Sequence, residues 1–245
     1  MLLLLLACPH PLPPAPPVTA ASPDPVDPYA EAVEAARYLS ADAVVSDLLT
    51  LTKASPTVQF DDAGRVRVQT WTRADYYSDP AYVTGHAFPL YGEMWFTAGD
   101  AVAQTCQGLE GAARDLRLEQ LLGLPAGGGR DAFLVVYVDP SALFRPCSNP
   151  DPMVSDCRIA PPIIQDGDVT SLACQGTAGH AQWVCNNYAA NYSISDASQQ
   201  YPWTVLGYTY DWSADGPVGP AEFIAPASTE VVFEALLSTA DFCAQ

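Results

Sequence analysis

The chain has 245 residues, 49% of them apolar, enough to bury about 70% of the surface its unfolded form exposes. Its 28 acidic and 10 basic residues give a net charge of −18, which argues against nucleic acid or anionic lipid headgroups, since both are held by clustered Lys and Arg. The charge serves solubility first; a cationic partner or bound divalent ions are its sharper uses.

The chain opens with Met1, five leucines and Ala7, followed by Cys8. Leu5-Leu6-Ala7-Cys8 resembles the lipobox of bacterial lipoproteins, which implies cleavage before Cys8, a cysteine that becomes diacylated. Residues 1–7 are then a signal segment, short and without a basic residue. A cut after Ala20 is the alternative, opposed by the prolines between Pro9 and Pro17. The apolar run is far below the ~20 residues that span a bilayer. Residues 8–28 carry nine prolines and form a lipidated, semi-rigid tether of polyproline character. Residues 29–245 are expected to fold as one ectodomain.

Asp27-Pro28 supplies a helix N-cap and a proline at the first helical position, with Tyr29, Val33, Ala36 and Leu39 at helical spacing. Ser40 is expected to cap a second helix bearing Val44, Val45, Leu48 and Leu49. The period then changes to two, and Val58 to Trp71 reads as a hairpin turning at Gly64. Tyr76 to Tyr91 is aromatic and irregular. Glu93 to Thr97 is a strand, Asp100 caps a helix through Cys106, and Leu116 to Leu122 marks another helix stopped by Gly123 and Pro125. Ala132 to Val138 is apolar throughout and reads as a central strand covered on both faces. Residues 139–202 are Cys-rich and mostly aperiodic. Strand character returns at 203–210, 222–224 and 230–236. The fold class is α+β, a mostly antiparallel sheet with early helices packed on it and disulfide-braced loops.

Seven cysteines are odd in number, and assigning Cys8 to lipid leaves six to pair in an exported domain. The expected pairs are Cys147–Cys157, Cys174–Cys185 and Cys106–Cys243. A zinc site at Cys174, His180 and Cys185 is the weaker alternative, because the spacing matches no zinc knuckle. Asp211, Ser213, Asp215, Gly216 and Glu222 stand at positions one, three, five, six and twelve of a calcium loop. The flanking strands and Pro217 and Pro220 favour a plain hairpin instead. Asp166-Gly167-Asp168 and Ser148 to Asp151 read as ordinary acidic turns. Gly127-Gly128-Gly129 reads as a connection, with no Lys-Ser/Thr after it.

No nucleophile elbow occurs, and only His86 and His180 lie beyond the tether. If a reaction is catalysed, carboxylates must do it, and Glu93 and Glu222 are the candidates, each beside an aromatic residue. Aromatics cluster at Tyr76 to Trp95 and Tyr201 to Trp212; exposed, they could meet a sugar ring or a protein. The sequence therefore points to an exported, envelope-anchored lipoprotein, a non-enzymatic binding module for a protein or saccharide. A secreted carboxylate-dependent hydrolase with a structural calcium ion is the alternative. A purely structural surface protein is the third reading.

Overall fold

The computed structural model describes residues 27–38, 41–157, 176–213 and 216–245. Residues 1–26, where the sequence reading places a signal segment, Cys8 and most of a tether, lie outside them. In chain order the helices are α1 (Pro28–Arg37), α2 (Ala101–Cys106), α3 (Gly111–Leu121), α4 (Gly179–Tyr192) and α5 (Thr239–Cys243). The strands are β1 (Val66–Thr72), β2 (Ala87–Pro89), β3 (Met94–Ala98), β4 (Ala132–Val138), β5 (Tyr208–Tyr210), β6 (Val218–Ala225) and β7 (Glu230–Ser238). All seven join one sheet in the order β2-β7-β4-β1-β3-β6-β5, and every pairing is antiparallel. The fold is α+β.

Strand β4 lies inside the sheet because its apolar run can be buried on both faces. Its alternate residues Leu134, Val136 and Val138 join Val66, Val68, Phe96, Phe223 and Phe233 in a core on one face. Phe133 and Val135 point the other way, packing with Trp71 against α2, α3 and α5 through Val102, Leu118, Leu121 and Phe242. A third cluster gathers Tyr29 and Val33 of α1 with Val184, Tyr188 and Tyr192 of α4, around Trp95, Trp183 and Trp203.

The loops before β1 and after β4 close the first face. Leu48 and Leu51 donate their N–H groups to the carbonyls of Ser155 and Pro152, and Cys147 is disulfide-bonded to Cys157. Between them lies Arg145, 0% exposed. Its Nη2 donates to the carbonyls of Leu49 at 2.8 Å and Val154 at 3.0 Å. Pro152 and Gly207 accept more weakly at 3.4 and 3.5 Å, and the guanidinium sits 4.9 Å from the Phe223 ring centroid. At the opposite face, Cys106–Cys243 ties α2 to α5.

The structure departs from the sequence-based expectation in four places. Only a short 3-10 turn, Ala41–Ala43, stands where a second helix was expected. Val44, Val45 and Leu48 instead pack against the Cys147–Cys157 bridge and Tyr208 in extended chain, and Ser40 lies outside the described residues. Helix α4 was hidden by Gly, Gln and Asn, poor helix formers or neutral ones, although Val184, Tyr188 and Tyr192 recur every four residues. The strand at 203–210 shrinks to β5, because Val205 (φ 59°) and Gly207 (φ 79°) break the extended path. Helices α4 and α5 come late in the chain rather than early.

Gly207 is required for a second reason. A Cβ there would lie 2.7 Å from Arg145 Cδ and 2.8 Å from Cys157 Sγ. Gly207→Ala should therefore lose about 2–4 kcal/mol of stability through backbone strain and overpacking, read as a lower urea midpoint. An unchanged midpoint would show that the Arg145 surroundings can yield.

Candidate functional site

Glu222 lies on β6, paired with Thr97 of β3. The residue keeps some contact with solvent, but Oε2 is sealed from it and has no hydrogen-bond partner among the described residues. Burial pushes its carboxyl from 4.5 up to about 8, because the charged form loses its hydration without gaining a donor. Glu93 is exposed just before β3, and its Oε2 accepts from Trp183 Nε1 at 2.8 Å. With Thr97 opposite Glu222, the two Cα atoms stand about 13 Å apart along the strands, at ~3.3 Å per residue. Trp95 falls between them on the same face. Neither the cleft at Arg67 and Gln104 nor the one at Asp47 and Pro220 is lined by Glu93 or Glu222, and at that separation the pair is not brought together.

Asp211 is also committed elsewhere. Its carboxylate receives both Nη groups of Arg117, at 3.1 and 2.7 Å, in a fork-to-fork pair, and it accepts from the Ser213 N–H at 3.0 Å. The Asp211 N–H donates to the Pro217 carbonyl, closing a hairpin between β5 and β6. Glu222 lies five residues beyond Pro217 along the strand, roughly 16 Å at strand rise, so the first and twelfth positions of the calcium-loop spacing do not meet. Asp215 lies outside the described residues. Among the described residues no group of three metal-ligating side chains is present.

His180 sits on α4, stacked on Trp183 and within 2.5 Å of the Cys147 carbonyl. Cys185 is disulfide-bonded and so offers no thiolate; Cys174 lies outside the described residues, as do Asp166 and Asp168. The glycines at 127–129 have a structural task that the sequence reading missed. Gly127 and Gly128 donate their N–H groups to the buried Glu119 carboxylate at 2.7 and 3.0 Å.

The two aromatic groups behave differently. Trp203, Tyr208 and their neighbours are core, so the group at 201–212 is mainly structural. The group before β3 is displayed. Tyr91 is 93% exposed and Tyr76 64% exposed. They flank an inner ladder in which Tyr82 packs edge-on against Tyr77 and Phe88, with centroids 5.3 and 5.0 Å apart. Phe88 lies on β2, the edge strand beside β7. Arg73 stands over Tyr76 and bonds Asp75, and Asp79 and Glu93 are exposed on the same stretch.

No protein-family model, curated protein or solved structure matches this chain.

Two measurements test these placements. Below about pH 4 Glu222 is neutral in both folded and unfolded chains, so burial carries no ionisation penalty. Between pH 4.5 and about 8 only the unfolded chain ionises, so stability falls by about 1.4 kcal/mol per pH unit and then levels off. Glu222→Gln should remove this slope, exceeding the parent in stability at pH 8 and matching it at pH 4. Parallel pH profiles would show that Glu222 ionises freely in the fold. Asp211→Ala leaves Arg117 unpaired and should cost about 2 kcal/mol, equally with calcium or with EDTA. A loss confined to calcium-containing buffer would restore an ion-binding role to Asp211.

Proposed function

We propose that this chain is an exported, non-enzymatic binding module, held at the cell envelope by a lipid on Cys8, that engages a partner protein through the tyrosine edge at residues 73–93. The observation that carries this reading is the display of Tyr76 and Tyr91 on a stretch whose inner rings, Tyr82 and Phe88, are fixed by packing. Tyrosine gives a large contact area at low entropic cost and is enriched at protein interfaces. Asp75, Asp79 and Glu93 beside it, and the net charge of −18, favour a basic partner surface.

The disulfides Cys106–Cys243 and Cys147–Cys157 are compatible with an oxidising, extracytoplasmic compartment. Among the described residues no helix is long and apolar enough to cross a membrane, and the anchor reading rests on Cys8 and the proline-rich stretch after it. The carboxylate hydrolase has less support, since Glu93 and Glu222 stand about 13 Å apart along the strands, beyond the ~5–9.5 Å of paired glycosidase carboxylates.

A photo-crosslinking amino acid placed at Tyr76 or Tyr91 in producing cells should give a discrete adduct. Its yield should fall as salt is raised, and a crosslinker at the exposed Ser195 should give none. Absence of an adduct, or equal adducts at Ser195, would refute the interface. Cys8→Ser should move the protein from the membrane fraction to the soluble one; unchanged partitioning would remove the anchor.

A further inference from the structure

A cleft of 410 Å³ opens where β1 meets α2 and α5, lined by Thr57, Gln59, Arg67, Gln69, Gln104 and Gln107 among others. It falls within the roughly 300–1,000 Å³ of small-ligand clefts. It shares no residue with the tyrosine edge and brings together groups from distant parts of the sequence.

The hydrogen bonds at its wall fix how the amides face. Gln69 Nε2 donates to the Gly99 carbonyl at 3.0 Å, Gln104 Nε2 to the Asp100 carboxylate at 2.7 Å, and Gln107 Nε2 to the Gln245 carbonyl at 3.5 Å. Each of those partners can only accept. Gln69 and Gln104 must therefore turn their nitrogens to the protein, while the 3.5 Å contact holds the Gln107 amide only loosely; the amide oxygens of Gln104 and Gln107, both exposed, face the cleft. Arg67 complements them. Its Nε is spent on Glu234 at 2.7 Å, while its two Nη groups have no hydrogen-bond partner among the described residues. The cleft thus presents carbonyl acceptors and a guanidinium donor fork side by side, with the Thr57 hydroxyl and the Gln59 amide able to do either.

That pattern selects the ligand chemistry. An anionic ligand would meet Arg67 already paired with Glu234, with Asp100 and the Gln104 and Gln107 amide oxygens alongside. A cation would meet the Arg67 guanidinium. A neutral polyhydroxylated molecule satisfies both halves, because every hydroxyl donates once and accepts from a second group. Tyr137 is the register partner of Arg67 and so lies beside it on the same face, offering a partly exposed ring next to the cleft. We infer that this cleft is a binding site for a neutral saccharide, gripped by Gln104, Gln107 and Arg67, with the buried Gln69, 1% exposed, forming its floor. This site is separate from the proposed tyrosine interface and stands without it.

The test is a titration of the full-length chain with neutral trisaccharides of glucose, galactose and N-acetylglucosamine at millimolar concentration. Side-chain amide resonances of Gln69, Gln104 and Gln107 are followed by NMR. At least one trisaccharide should shift these signals in a saturable manner, and a trigalacturonate should bind more weakly. Gln104→Ala, on the exposed face of α2, should weaken binding about tenfold, the loss of one good hydrogen bond, with an unchanged melting temperature. Gln59→Ala provides a second fold-neutral variant, and Tyr91→Ala should leave the titration unaltered. Failure of all three neutral sugars to shift the amides would overturn the assignment. So would tighter binding of the acidic sugar, or full affinity in both glutamine variants.

Discussion

Arg145 is a fully buried cation with no carboxylate bonded to it among the described residues, and the arrangement of three separate segments follows from how it is solvated. Moving a guanidinium out of water costs several kcal/mol unless its donors are met. Backbone carbonyls at Leu49, Pro152, Val154 and Gly207 meet them, and the Phe223 ring adds a cation–π contact. Nε stays unbonded, and burial lowers the group only to about 10, so it remains charged at neutral pH. Those carbonyls belong to the loop before β1, the Cys147–Cys157 loop and the turn into β5. None of the three has enough regular structure to hold itself against the sheet.

The same turn links this cation to the sheet's other face. The Gly207 carbonyl accepts from the Glu222 N–H as well as from Arg145. Phe223 points toward the guanidinium, and its neighbour Glu222 points away by strand alternation. One side of β6 therefore supports a buried charge, and the other a carboxyl kept neutral at physiological pH. Each costs stability, and each is tolerated because the surrounding apolar core is large: Phe96, Phe133, Leu134, Phe223 and Ile224 are all almost fully buried.

How much of this could be read in the sequence depended on whether the deciding partner was a side chain. Strand β4 was legible because an unbroken apolar run has to be covered on both faces. Cys147–Cys157 was legible because the two close a short loop, and α3 because its leucines end at Gly123. Helix α4 was not, since its buried residues are tyrosines and valine set among amides. Arg145 was invisible because carbonyl partners leave no mark on the sequence. The glutamine cleft escaped for another reason: residues 59, 69, 104 and 107 converge only once β1 and α2 are in place. Asp211 and Glu222 held a plausible calcium spacing, but the strand between them carries Glu222 away from the hairpin loop.

The two proposed binding surfaces sit where this frame leaves the sheet uncovered, at the β2 edge and over the Arg67 end of β1. Their geometry depends on the loops around Arg145 moving with the sheet as one body. Native-state hydrogen exchange measures this directly. The amides of Leu48, Leu51 and Glu222, bonded to Ser155, Pro152 and Gly207, should exchange with the same opening free energy as the β4 amides. Exchange of Leu48 and Leu51 at a much lower free energy, with β4 still protected, would contradict a frame organised by Arg145.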